Sequence, residues 1–202
     1  IRDSIIKLIN KEVVPAIGCT EPMAVALAKA RAVEALGCRP TKISALLSAN
    51  ILKNAMGVGI PGTGMIGLPI AIALGAIIGK SEYQLEVLRD LTPETLEAGK
   101  KYIAEKRIDI SLKEGITEKL YVEIICTDNQ GRTSKAIIAG SHTNFIYVSS
   151  PEGILLDKQQ AAGEEHVDDD IKLNLSIVYE FATTAPIEEI RFILKTKEYN
   201  MD

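Results

Sequence analysis

The chain contains no tryptophan, and aromatic residues make up only 4% of its 202 residues. Aromatic side chains usually supply much of the area that a protein core buries. The core must here be built mainly from Ala, Ile, Leu and Val, whose small and medium side chains allow helices to pack closely. At this length the chain can bury one sizeable core, or a main domain that is joined to a smaller one.

Cysteine and histidine are also scarce, with three and two residues respectively. An odd number of cysteines at irregular spacing does not fit a secreted disulfide framework, so we expect a reducing, cytoplasmic location. The net charge is −4, and the sequence has no run of Lys and Arg. This balance argues against a nucleic-acid-binding surface, and we expect no nucleic-acid partner.

A long uncharged run covers Asn54–Gly79, but glycines and prolines interrupt it. Its continuous apolar part, Met65–Ile78, is shorter than the roughly 20 residues that a membrane-spanning helix needs. We see no signal peptide before the first predicted helix. We therefore expect no membrane contact, and we interpret the apolar part as a buried helix.

The spacing of apolar residues predicts a mixed α+β protein. A first helix should end before Pro15, and a second, apolar on most of its circumference, should run over Glu21–Leu36 with Thr20 as N-cap and Gly37 as its stop. The other predicted helices are Met65–Ile78, a helix opened by Thr92 that runs to Lys106, Ile171–Ala182 and Ile187–Lys197.

The pattern changes to strands after residue 107. Five short strand-like segments follow one another over Ile108–Asp157, and Asp128–Gly131 has the composition of a hairpin turn. Alternation places Leu120, Val122, Ile124 and Cys126 on one face of a strand, so Cys126 is most simply a core residue. The sequence thus predicts a mainly antiparallel, β-rich middle segment with helices from both ends of the chain around it.

The predicted domains are a mainly helical part (1–107), a β-rich small domain (108–160) and helices that return to the helical part (161–202). Within the first part, Thr41–Asn54 is interpreted as a short strand and a turn around Asn50–Asn54. Ala161–Asp170 is polar and acidic and contains His166. A metal site is conceivable there, but a solvated linker is the preferred interpretation.

Cys19 lies in a turn directly before the second predicted helix. Free N–H groups and the positive end of the helix dipole would favour its thiolate, the form that reacts or binds metal. A small buried residue that fills a tight turn is the alternative, since free cysteines are often buried. A zinc site built from neighbouring residues is excluded, because no CxxC motif or nearby histidine is present.

The glycine-rich segment Asn54–Gly67 precedes the apolar helix. Its glycines leave backbone N–H groups free to approach an anion at a helix start. The segment matches neither a Walker motif nor a dinucleotide fingerprint, so a carboxylate or small phosphate would fit better. Tight packing of the loop against a neighbouring backbone is the equally open alternative.

The segment Gly140–Asn144 places His142 between two hydroxyl residues, Ser141 and Thr143. Such a group can bind a carboxylate or move a proton. A surface turn that is held by local hydrogen bonds is the alternative.

Three motifs, "IGCTEPMAVA", "NILKNAMGVGIPGTGMIGLPIAIALGAIIG" and "AIIAGSHTNFIYV", resemble in order and separation those of the L-cysteine desulfidase family. This family and its close uncharacterised relatives are related to the alpha chain of iron-sulfur L-serine dehydratases. The resemblance covers essentially the whole chain, but it is similar to only the N-terminal half of a full family member. It implies a pyridoxal-independent lyase that converts L-cysteine to pyruvate, ammonia and sulfide by α,β-elimination.

The resemblance also implies a [4Fe-4S] cluster in the full-length protein, held by three cysteines with one iron open to substrate. Cys19 corresponds to one ligand, and the other two belong to C-terminal segments outside this sequence. Neither Cys38 nor Cys126 matches a ligand motif, so we expect this chain alone to bind no cluster and to have no activity. One thiolate cannot hold such a cluster.

Elimination needs a base for the α-proton and an anchor for the carboxylate. His142 is the first candidate proton carrier and Lys53 the alternative, provided that burial lowers the pKa of the lysine. The other residues that we expect to bind the small amino-acid substrate are Asn50, Asn54, Gly62, Thr63, Gly64, Ser141 and Thr143.

Two other functions remain open. The chain could be a non-catalytic module that binds a carboxylate or another anion, with Cys19 merely packed, or part of a lyase that acts on L-serine. An apolar face left by a missing half could also favour a homo-oligomer.

Overall fold

The computed structural model describes residues 1–158 and 172–199. The chain divides into two compact units, Ala16–Ala161 and the pair Ile1–Pro15 with Ala162–Asp202. The mixed α+β class that the sequence predicts is confirmed, because helices and a mostly antiparallel sheet are both present.

The larger unit is built around one six-stranded sheet. Its strands are β1 (Lys42–Leu47), β4 (Ile108–Leu112), β5 (Tyr121–Thr127), β6 (Thr133–Ala139), β7 (Phe145–Ser150) and β8 (Gly153–Asp157). Their order is β4-β1-β5-β6-β7-β8, and only the β1–β4 pair is parallel. The hairpin predicted at Asp128–Gly131 joins β5 to β6 as expected.

The α-helices of this unit are α2 (Thr20–Leu36), α3 (Ala49–Ala55), α4 (Leu68–Ile77) and α5 (Pro93–Ala104), and a 3₁₀ helix covers Ser81–Glu86. The helix α2 ends at Gly37, whose φ of 74° is left-handed, as the predicted stop requires. Its N-cap is Cys19 and not Thr20, so the predicted cap is wrong by one residue. Thr92 caps α5 through a reciprocal hydrogen-bonded pair with Thr95, as predicted.

Two segments differ from the sequence-based expectation. The turn expected at Asn50–Asn54 is the helix α3, which begins because the Ser48 hydroxyl accepts a hydrogen bond from the N–H of Ile51. The first residues of the predicted helix Met65–Ile78 instead form β3 (Met65–Ile66), which pairs with β2 (Gly59–Ile60). Gly67, with φ 88°, separates this small hairpin from α4.

The core lies between the sheet and two layers of helices. The apolar helix α2 packs across β5, β6 and β7, α4 packs on α2, and α5 packs on α4. Val122, Ile124 and Cys126 are fully buried on the inner face of β5, as the alternation predicts. The sheet also includes β1, which precedes the predicted small domain (108–160), and α2 packs on the sheet.

The smaller unit contains α1 (Arg2–Glu12) from the start of the chain, which ends before Pro15 as predicted. Its other helices are α6 (Leu175–Thr184), α7 (Ile187–Ile190), a short 3₁₀ helix (Arg191–Leu194) and α8 (Lys195–Tyr199). The second helix predicted there, Ile187–Lys197, is therefore divided by a change of helix type. The predicted linker Ala161–Asp170 and its His166 lie outside the described residues.

Among the described residues, none of the helices combines the length and the apolar character that crossing a membrane would require.

Candidate functional site

Three segments that lie far apart in the sequence meet at the start of α2. They supply Cys19, Thr20 and Glu21 from the first turn, Asn54 from α3, and His142 from the turn between β6 and β7. We call these five residues the Glu21 cluster. All five belong to the larger unit.

Glu21 is the centre of the cluster, because its carboxylate accepts hydrogen bonds from three donors. The Cys19 Sγ lies 2.8 Å and the Thr20 Oγ1 3.4 Å from its Oε2, and the Asn54 Nδ2 lies 3.3 Å from its Oε1. The hydrogen bond from the Cys19 thiol is the largest cause that lowers the pKa of Glu21, with smaller contributions from Asn54 and from the charge of His142. Glu21 is therefore held as the carboxylate.

Partial burial and the contact with Glu21 together favour the protonated Cys19 thiol. Its pKa is raised, first by partial burial and then by the hydrogen bond that it donates to the negatively charged Glu21. The sequence-based expectation that the start of α2 favours the thiolate is thus wrong for this state of the protein. The position at the N-cap is as expected, but burial, and after it the hydrogen bond to Glu21, raise the pKa of the thiol.

Thr20 joins the start of α2 to the His142 turn. Its Oγ1 lies 3.3 Å from the His142 Nε2, a contact between residues 122 positions apart in the sequence. The turn is shaped by Gly140, which has φ 78° and donates its N–H to the Leu120 carbonyl. Two of the predicted motifs, "GCTEP" and "GSHTN", are therefore in direct contact.

Ser141 and Thr143 flank His142 and are half-buried. Asn144 completes the turn, since its Nδ2 donates to the Ala139 carbonyl at 3.0 Å and its N–H to the Ser141 carbonyl at 3.3 Å. The turn therefore has the local hydrogen bonds of an ordinary surface turn. It also lies beside a polar site, which is what the other interpretation requires.

Asn50, Lys53 and Asn54 project from α3, and all three are exposed. Only Asn54 among them contacts Glu21. The predicted role of Lys53 as a base required a buried side chain. The Lys53 side chain is exposed, so that requirement is not met. This segment was predicted as a turn but is the helix α3. Successive residues of a helix point in different directions, so Lys53 and Asn54 do not face the same way.

The glycine-rich loop lies against the Cys19 turn. A Cβ on Gly18, whose φ is 78°, would lie 2.7 Å from the Cγ of Pro61, so only glycine fits here. Gly62 and Gly64 also have left-handed φ values of 74° and 64°. This close approach matches the packing interpretation of the loop.

Thr63 is buried and its polar groups are used within the loop. Its Oγ1 donates to the Ile60 carbonyl at 2.7 Å and accepts from the Met65 N–H at 3.0 Å, and its N–H donates to the Ile60 carbonyl. The predicted role of Thr63 as a carboxylate anchor is therefore not supported by its geometry, since its hydroxyl and N–H already have partners.

The residues of this chain do not by themselves fit a [4Fe-4S] cluster. In the described ranges 1–158 and 172–199, no group of three His, Cys, Asp or Glu residues could hold a metal ion. Cys19 is one thiol, Cys126 is buried against Lys29, and Cys38 lies 3.9 Å from a carboxylate oxygen of Asp128. A cluster would need thiolates from outside these residues.

Sequence reasoning identified Cys19, Asn54 and His142 but not the roles of Glu21 and Thr20. A signal for Glu21 was present, because a carboxylate in the first turn of a helix, two residues after a cysteine at the N-cap, is well placed to accept a bond from its thiol. Thr20 was interpreted as a cap, a role that would have used its hydroxyl locally.

The chain is similar to proteins named "UPF0597 protein" from several bacteria. It is 66% identical to the one from Bacteroides thetaiotaomicron and 65% identical to the one from Phocaeicola vulgatus, each over 98% of this chain and 46% of the relative. The relative from Parabacteroides distasonis is 58% identical over 99% of this chain and 47% of its own length. The chain thus spans about half the length of the curated relatives it matches.

No family model matches the chain, and no solved structure matches it. The names of the relatives mention neither a lyase nor an iron-sulfur cluster.

Proposed function

We propose that this chain is the N-terminal part of a pyridoxal-independent, iron-sulfur-dependent amino-acid lyase that eliminates sulfide from L-cysteine to give pyruvate and ammonia. The observation that supports it best is the contact between Thr20 and His142, 3.3 Å apart. This contact joins the "GCTEP" motif, which contains the proposed iron-sulfur ligand Cys19, to the "GSHTN" motif, which contains the proposed proton carrier His142. A reducing, cytoplasmic setting is part of the proposal, since all three cysteines are free thiols.

The Glu21 cluster has the residue types that such an elimination uses. A base must take the α-proton, and a histidine is suited to this near neutral pH. His142 is half-buried, so it is not closed off from solvent. Its Nε2 is hydrogen-bonded to the Thr20 hydroxyl, which in turn contacts the Glu21 carboxylate. This chain of contacts orients the imidazole.

The anchor for the substrate carboxylate is assigned to the His142 turn and α3 rather than to Thr63. Ser141 and Thr143 flank the proposed base with hydroxyl groups, and the exposed amide of Asn50 lies on α3 near the start of the same helix that bears Asn54. Gly62 is assigned a packing role, because a Cβ there would lie 2.8 Å from the Cδ2 of Leu91, and Gly64 is assigned a role in the turn through its left-handed φ of 64°.

The cluster is proposed for a longer protein that contains two further thiolate ligands. Of the three ligands, the described residues supply only Cys19. We expect the 202-residue chain alone to be inactive.

Anaerobic iron-sulfur reconstitution tests the proposal. The 202-residue chain and the longer relative from Bacteroides thetaiotaomicron are treated in parallel, and visible absorption, bound iron and release of sulfide and pyruvate from L-cysteine are measured. We expect a cluster and turnover only in the longer protein. A longer protein with neither would overturn the proposal, and a cluster in the short chain would overturn the assignment of ligands. Release of pyruvate from L-serine in preference to L-cysteine would identify a serine lyase.

Two variants of the longer protein separate the roles of the residues. His142→Ala, at the matching position, should abolish turnover and leave the cluster absorption unchanged. Lys53→Ala is the matched arm, because Lys53 is exposed and outside the Glu21 cluster, and it should retain turnover. Normal turnover by the His142 variant, or loss by the Lys53 variant, would move the proton transfer away from His142.

A further inference from the structure

A lysine and a cysteine face each other inside the core of the larger unit. Lys29 lies in the middle of α2 and Cys126 near the end of β5, and both are completely buried. The Lys29 Nζ donates to the Cys126 Sγ at 3.0 Å. A lysine is almost never fully buried unless it is paired.

The partner of the buried amine is the sulfur and not a carboxylate. Among the described residues, Cys126 Sγ is the hydrogen-bond partner of Lys29 Nζ. The Ser134 hydroxyl, across from Cys126 on β6, donates to the Ala32 carbonyl at 2.6 Å. Asp128 binds the side chain and N–H of Arg132. The pair is therefore not a conventional salt bridge.

Burial favours the neutral forms of both groups. It lowers the pKa of the Lys29 amine, and it raises the pKa of the Cys126 thiol, which the neighbouring amine pulls partly back. A neutral amine has a free electron pair on nitrogen, so it can form a new bond, whereas an ammonium group cannot. The arrangement thus places a nucleophilic nitrogen directly beside an oxidisable sulfur.

We propose that Lys29 and Cys126 are an oxidation site at which dioxygen forms a covalent Nζ–O–Sγ bridge between α2 and β5. The amine loses one hydrogen, the thiol loses its hydrogen, and one oxygen atom of dioxygen bonds to both nitrogen and sulfur. The second oxygen atom leaves with the two hydrogens as water. Nitrogen and sulfur are oxidised, and dioxygen is fully reduced.

The geometry favours this product at Cys126 and at neither of the other cysteines. A single oxygen atom with bonds to N and S spans slightly less than the observed separation, so only a small closure is needed. Cys19 and Cys38 have carboxylates of Glu21 and Asp128 as their partners, and a carboxylate offers no nitrogen. Dioxygen is small and apolar, so the dry surroundings of the pair do not exclude it.

The bridge would join residues 97 positions apart. Closing a long loop covalently restricts the unfolded chain and raises stability toward heat. The proposal stands apart from the lyase function, because neither residue belongs to the Glu21 cluster and the reaction needs no other part of the protein.

The test uses the chain with Cys19→Ser and Cys38→Ser, in which Cys126 is the remaining thiol and no intramolecular disulfide can form. Samples kept under dioxygen and under nitrogen are compared by intact mass. We expect a dioxygen-dependent species heavier by one oxygen atom less two hydrogen atoms, reversed by dithiothreitol. Peptide mapping should show Lys29 linked to Cys126, and the bridged form should unfold at a higher temperature.

Each other outcome overturns the proposal. Recovery of Cys126 as a free thiol after oxygen exposure, or as a sulfinic acid beside an unmodified Lys29, shows that no bridge forms. A cross-linked peptide without the added oxygen is a direct N–S bond, which contradicts the oxygen-bridged product. Because both reacting residues keep their native identity, a failure to fold through a core substitution cannot obscure the result.

Discussion

At the scale of single residues, Glu21 decides the chemical state of the Glu21 cluster. Its carboxylate accepts from Cys19, Thr20 and Asn54, so one side chain fixes the start of α2, the proposed metal ligand and α3 relative to one another. A carboxylate is the only common side chain that can accept this many hydrogen bonds without donating any. Its negative charge is also what opposes ionisation of the thiol.

Glu21→Gln is expected to lower the pKa of the Cys19 thiol. The amide can still accept the S–H bond, but the negative charge that raises the thiol pKa is gone. Partial burial, the largest cause of the raised pKa, remains, so the pKa should fall only part of the way. The rate of alkylation of Cys19 by iodoacetamide, followed against pH by peptide mass spectrometry, measures it.

Glu97→Gln is the matched control for this change, because Glu97 is an exposed carboxylate on α5 that pairs with Lys100. It should leave the alkylation curve of Cys19 where it is in the unchanged chain. A Cys19 pKa that stays the same or rises in Glu21→Gln would show that burial alone sets the state of the thiol.

At the scale of elements, small residues determine how α2 and α4 pack. A Cβ on Gly75 of α4 would lie 2.7 Å from the carbonyl oxygen of Ala26 on α2. The backbones of α2 and α4 are therefore in contact. In a chain with few aromatic residues, such close packing gives up little buried side-chain area. The α2 helix can in this way be covered by α4 on one side and the sheet on the other.

Gly75→Ala is expected to destabilise the protein. An alanine in a helix gains up to about 1 kcal/mol over glycine in propensity, but forcing a methyl group into a closed contact costs about 1–3 kcal/mol. The backbone of Ala26 cannot move aside as a flexible side chain could, so the loss should exceed the gain. Urea unfolding followed by far-ultraviolet circular dichroism gives the change in free energy.

The control for this prediction is Gly57→Ala. A Cβ on Gly57 would meet no atom within 4 Å, so its free energy of unfolding should change by no more than about 0.5 kcal/mol. If Gly75→Ala were as stable as Gly57→Ala, the close approach of the helices would not contribute to packing.

At the scale of the whole molecule, local patterns predicted most elements, and contacts between distant residues account for what was missed. The boundaries of α1 and α5 and the hairpin between β5 and β6 follow from caps, turn residues and periodicity. The short helix α3 depends on Ser48, whose hydroxyl also donates to the Lys119 carbonyl 71 positions away. Such a cap cannot be distinguished from a turn residue by local sequence.

The same division holds for the Glu21 cluster. Its predicted members came from motifs, each of which has a local signature. What could not be predicted is which side chains touch, because the contact of Thr20 with His142 depends on how β6 and β7 place their turn beside α2. The pairing of β1 with β5 on one side and with β4 on the other had no local signal either, and it places a strand from before residue 107 inside the sheet.

The final prediction concerns which part of the chain folds by itself. A shortened chain of residues 16–158 contains α2, β1 and every other strand of the sheet, together with nearly all of the buried apolar residues. It should unfold in urea in one cooperative transition, followed by far-ultraviolet circular dichroism. A chain of residues 108–158, which follows the boundary predicted from sequence, lacks α2 and should show no such transition, because Val122, Ile124 and Cys126 would face water. A cooperative transition in the shorter chain, or none in the longer one, would instead support the boundary at residue 107.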